Sequence, residues 1–171
     1  MRLTGLIAFA MALAPADYAL AQSLTDPQIA HVAYTAGEID IKAAELALKT
    51  SKSKAVRSFA EDMVRDHKAV NEKALALVKK LKVTPEDNST SQSLVSGAEA
   101  KRKELEGLSG AAFDKAYAQN EVAYHQAVNS ALEKTLIPAA SNADLKALLS
   151  TGLKIFQGHE QHAEHLAMEL K

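Results

Sequence analysis

Apolar residues recur at helical spacing from Thr25 to the end of the chain, and polar breaks cut the pattern into long segments. Thr25-Asp26-Pro27 is a cap residue followed by proline at a first helical position, so a long helix is predicted from there to about Lys49. Thr50-Ser51-Lys52-Ser53 is too short a break for anything but an antiparallel return. The second helix, about 54–82, has a strong stripe of Val56, Phe59, Ala60, Met63, Val70, Ala74, Leu77 and Leu81. Residues Val83 to Ser91 are the most loop-like stretch, and a weaker helix is predicted over 92–106. After Gly107-Leu108-Ser109-Gly110, with Ser109 as a predicted N-cap, a third long helix covers about 111–137. Pro138 and Ser141-Asn142 mark the turn into a fourth, about 142–170.

The fold class expected from this order is all-α. Four long helices with a long, partly helical crossover between the second and third match a ferritin-like four-helix bundle, with a plain up-down bundle as the alternative.

Each long helix carries a histidine or carboxylate inside its apolar stripe. His159, His162 and His165 step around the last helix by roughly 60° each, so they cannot all face inward. His159 aligns with Leu148, Ile155 and Leu166, His162 lies on the shoulder, and His165 points out. His67 sits at the centre of the second stripe; a hydrogen-bonded core histidine and a metal ligand are both open readings. Asp66 points about 100° away from it, as a surface or interhelical hydrogen-bond group. Asp114, Glu121 and His125 share a face with Val128 and Leu132, and Glu121 and His125 at i, i+4 suit one metal or a mutual hydrogen bond. On the first helix Glu38 and Glu45 lie two turns apart on one face, with Lys42 and Lys49 as available partners. Counting a rise of about 1.5 Å per residue from the turns places Glu38, His67, Glu121, His125 and His159 at one level, and favours Glu38 over Glu45.

Composition narrows the setting. Arg2, the apolar run Leu3 to Ala14 and the Ala19-Leu20-Ala21 box predict a signal peptide cleaved after residue 21, leaving 22–171 as one bundle domain in the periplasm. No later stretch is long and apolar enough to be a transmembrane segment. With no cysteine there is no disulfide framework, so stability must come from the core or a metal. A net charge of −1 with interspersed signs argues against nucleic acid as a partner. No nucleophile motif, phosphate loop or HExxH is present.

Several motifs together resemble a known family. Phe59-Ala60-x-x-Met63-Val64-x-Asp66-His67, Thr84-Pro85-Glu86-Asp87, Gly110-Ala111-Ala112-Phe113-Asp114-x-x-Tyr117, Glu121-Val122-Ala123-Tyr124-His125, Leu136-Ile137-Pro138 and His159-x-x-His162 are similar to the exported bacterial domain of unknown function 4142, over about residues 25 to 170. The resemblance implies a ferritin-like bundle and an exported product, and carries no activity with it. It maps the family's motif histidines onto His67, His125 and His159, with His162 close behind and Glu121 in the same set. Ferritin-like di-iron proteins use Glu-x-x-His on two helices. Here Val64, Val122 and Phe156 stand three residues before His67, His125 and His159, so di-iron oxidase activity is not expected.

The combined expectation is a periplasmic bundle binding zinc, copper, iron or nickel through His67, Glu121, His125 and His159, with Glu38 and His162 as further candidates, in metal handling or stress tolerance. The alternative is a metal-free structural or protein-binding bundle whose buried His/Glu groups hydrogen-bond one another.

Overall fold

The computed structural model describes residues 24–170, and the predicted signal peptide lies outside them. Helix α1 (Asp26–Thr50) opens on a capping box in which Thr25 and Gln28 exchange side-chain and backbone hydrogen bonds. Helix α2 (Lys54–Leu81) folds back after three residues, capped by Ser53. The Arg57 guanidinium donates to the carbonyls of Leu48 and Ser51, which satisfies orphan acceptors at the end of α1.

The crossover contains α3 (Ser89–Glu106), which begins three residues earlier than its polar sequence predicts. The Asn88 side chain accepts from the backbones of Thr90 and Ser91, and Ser91 Oγ returns to the Asn88 N–H. The serine and threonine run is therefore the capped first turn of the helix. Asn88 and Glu86 also bond to Gln28 and Pro27, tying the crossover to the start of α1.

Helix α4 (Gly110–Ala131) begins after Ser109, which occupies the cap position without making a side-chain cap bond. Gly110 has a φ of 55°, so the turn depends on glycine rather than on the serine predicted to cap it. The helix widens into a π turn over Leu132–Leu136 and ends in α5 (Ile137–Ala139). The widening ends two residues before Pro138, which has no N–H to donate to the preceding turn. Asp26 accepts from the Ser141 and Asn142 backbones at 2.8 and 2.9 Å, and Asn142 caps α6 (Ala143–Glu169).

Two apolar clusters fix the topology. One joins Ala44 and Ala47 at the end of α1 to Phe59 and Met63, Phe113 and Tyr117, and Leu166 at the end of α6. The other joins Ile29 and Val32 to Leu132 and Leu136, and to Leu145 and Leu149 at the start of α6. The starts of α2 and α4 therefore share one end of the bundle, an arrangement that requires the crossover and rules out the up-down alternative. Among the described residues all regular structure is helical, and no helix is long and apolar enough to cross a membrane.

Candidate metal centre

Between the two apolar clusters lies a layer of ionisable side chains. His67 from α2, His125 from α4 and His159 from α6 are all buried, and one ring nitrogen of each lies within 4.8 Å of the others. Asp40 from α1 and Glu121 from α4 form a second buried group with His125, drawn together within the same 4.8 Å. Asp40 Oδ2 is 3.6 Å from His67 Nε2 and 3.5 Å from His125 Nε2, so it links the two groups.

Neighbouring acceptors set the tautomers. His125 Nδ1 donates to the Glu121 carbonyl oxygen at 2.9 Å, which leaves Nε2 as the lone-pair atom facing Asp40. His159 Nε2 donates to Asp66 Oδ2 at 3.1 Å, leaving Nδ1 without a proton and without a protein partner. Asp66 is held in turn by the Arg65 guanidinium at 2.8 Å; burial opposes its ionisation, but the bonds from Arg65 and His159 outweigh this and lower its pKa. Carboxylate-to-imidazole support of this kind orients the ligating rings of metal sites. The His67 ring stacks on Phe156 with centroids 4.5 Å apart and planes 6° from parallel.

Burial keeps the imidazoles neutral. His67 is held well below the ordinary imidazole range by desolvation first and then by His125 and His159. Desolvation pushes His125 down to about 4 against the opposing bond to the Glu121 carbonyl, and lowers His159 against the pull of Asp66. The carboxylates move the other way. Desolvation raises Asp40 to about 7, and desolvation together with the charge of Asp40 lifts Glu121 well above the usual range. Both Asp40 oxygens, both His67 nitrogens, Glu121 Oε2, His125 Nε2 and His159 Nδ1 are buried without a hydrogen-bond partner among the protein groups. Buried polar atoms are normally satisfied, so a layer with this many orphans has the capacity to hold a ligand.

The structure thus brings His67, Glu121, His125 and His159 into one layer, and leaves Glu38 and His162 outside both groups. Glu38 is half-buried and accepts from Asn71 Nδ2 at 2.9 Å, so it serves the α1–α2 contact. His162 is exposed and lies edge-on to Phe59 with centroids 5.0 Å apart. Glu45 pairs with Lys68 at the surface.

Asp40 is the member that the sequence reading missed. Its stripe is Ala30, Ala33, Gly37, Asp40, Ala44 and Ala47, spaced alternately by three and four. These small residues carry little hydrophobic signal, so the eye follows Tyr34, Ile41 and Leu48 instead. A search for small residues at the same period would have found one carboxylate on the closely packed face.

Fold and site together define a crossover-connected helical bundle with a buried histidine and carboxylate layer at mid-height. The chain belongs to the family described as Domain of unknown function (DUF4142), whose model matches residues 10–166. No curated protein matches it. Among solved structures, CopM in the Cu(II)-bound form has the same fold, with a TM-score of 0.66 at 11% sequence identity, over 88% of this chain and 100% of that one.

Proposed function

We propose that this protein binds a transition-metal ion in the mid-bundle layer, with His67, His125 and His159 as imidazole ligands and Asp40 and Glu121 supplying carboxylate charge. The observation that carries the reading is the convergence of three neutral imidazoles, from three helices, on one buried point. Bonds of about 2.0–2.1 Å hold tetrahedral ligand atoms roughly 3.4 Å apart, so nitrogens within 4.8 Å need only a small inward adjustment. Imidazole with carboxylate, and no thiolate, suits zinc, copper, iron or nickel. The likeness to a protein solved with Cu(II) bound puts copper first among the ions to test. A metal-free layer is the alternative: a proton on one of Asp40 and Glu121 would bond it to the other, while the His67 nitrogens and His159 Nδ1 would still lack a protein partner.

The role we assign is metal storage or delivery in the periplasm, after removal of residues 1–21 and with the remainder acting as one bundle domain. Export rests on the Ala19-Leu20-Ala21 box and the apolar run before it. The test is elemental analysis of untagged protein dialysed against each of the four metals, beside His125→Ala. About one ion per chain is expected in the parent and a clear loss in the variant. Substoichiometric metal in the parent under all four conditions would sink the proposal.

A further inference from the structure

Beyond the polar layer, the half of the bundle nearer the π turn is hollow. A cavity of about 310 Å³ runs between the helices there. Its width comes from small side chains: Ala33 and Ala36 on α1, Ala74 on α2, Ala127 and Ala131 on α4, and Gly152 on α6. A Cβ added at Gly152 would meet nothing closer than the Phe156 ring at 3.4 Å. The π turn supplies another part of the wall through Leu132, Thr135 and Leu136, and such turns gather at functional sites. Phe156 lines the cavity and also stacks on His67, so the cavity adjoins the polar layer. Thr90, Ala127, Ala131 and Thr135 are exposed, and they form a rim open to solvent between α3 and α4.

Charge and shape select the occupant. No lining residue is charged, so an ionic ligand would lose its hydration without compensation. Apolar cavities of half this volume already take up small apolar molecules. From Leu145 to Phe156 the lining follows α6 for eleven steps of about 1.5 Å, roughly 16 Å in all. A methylene group fills about the volume of a water, roughly 30 Å³, so the space holds roughly ten carbons. A rounded molecule of that volume would be only about 8 Å across and would leave much of the length unfilled. An extended chain fills both volume and length, and the two tails of a bilayer phospholipid exceed them.

We propose that this cavity binds one uncharged, unbranched aliphatic molecule of about ten carbons, inserted chain-first with any polar end at Thr90 and Thr135. The site is separate from the metal layer and does not depend on it. The test is isothermal titration calorimetry of untagged protein with straight-chain alcohols from hexanol to tetradecanol. Affinity should rise about fourfold per methylene up to decanol and then level off. Ala131→Phe, which fills the cavity from its rim, should weaken decanol at least tenfold with helicity and metal content unchanged. Ala33→Leu narrows the opposite wall and serves if the first variant misfolds. Affinity that keeps climbing to tetradecanol, undiminished binding by both folded variants, or phospholipid retained after incubation with phosphatidylethanolamine vesicles would overturn the proposal.

Discussion

Asp40 decides how the buried layer responds to pH. Its pKa rises from an ordinary 3.8 to about 7 because the carboxylate is fully desolvated. A folded-state pKa above the unfolded one favours the protonated form, so its contribution is present at low pH and is lost as pH rises from about 4 to about 7. His125 works in the opposite sense, with a folded value of about 4 against an ordinary 6.5, and stability is lost as pH falls through that window. Metal-free protein therefore loses stability through His125 as pH falls from about 6.5 to about 4, and through Asp40 as pH rises from about 4 to about 7. Asp40→Asn removes the second effect. It should raise the melting midpoint of metal-free protein at pH 8 by several degrees, at about 2–4 °C per kcal/mol for a chain of this size. The same variant should bind metal more weakly than the parent. Thermal melts with and without metal at pH 5 and pH 8 separate the two effects, and a destabilised metal-free variant at pH 8 would contradict this account of the layer. The histidines were legible in the sequence because each interrupts a strong stripe. Asp40 was not, because alanine and glycine surround it.

Between elements, the contact of α1 with α2 is set by the absence of a side chain. A Cβ on Gly37 would stand 2.3 Å from Asn71 Oδ1, and Asn71 donates both to Glu38 and to the Tyr34 carbonyl. Gly37→Ala should therefore push Asn71 aside, break the Glu38 bond and cost roughly 2 kcal/mol, within the range of overpacked cores. Urea denaturation measures this, and an unchanged midpoint would show that α1 can shift without loss. Metal affinity should fall with stability, because Asp40 lies one turn further along the displaced helix. The same scale shows which boundaries the sequence could reveal. The cap at Thr25 and the turn at Ser141-Asn142 were readable as local signals. The start of α3 was hidden because Asn88 to Ser91 looks like loop until Asn88 and Ser91 are seen bonding each other. The π turn has no period of its own, and only Pro138 hinted that α4 would be irregular there.

For the whole molecule, the order of the layers matters more than any one contact. The polar layer lies between two apolar clusters that draw on all four long helices. Phe59, Met63, Phe113 and Tyr117 of the first cluster are fully shielded from water, so the bundle should stay folded without metal, unlike small domains whose folding depends on the ion. An ion held by α2, α4 and α6 beside the α1 carboxylate would instead act as a clamp across the middle. Binding to the folded state alone stabilises by about 2.7 kcal/mol at a hundredfold excess over the dissociation constant. At about 2–4 °C per kcal/mol, the melting midpoint should rise by roughly 5–11 °C on metal addition and return on chelation. Far-ultraviolet circular dichroism at 25 °C should change little in either direction. A chelator that abolished helicity would show that the apolar clusters cannot hold the bundle alone. A midpoint indifferent to all four metals would show that the orphaned nitrogens and carboxylate oxygens do not bind any of them.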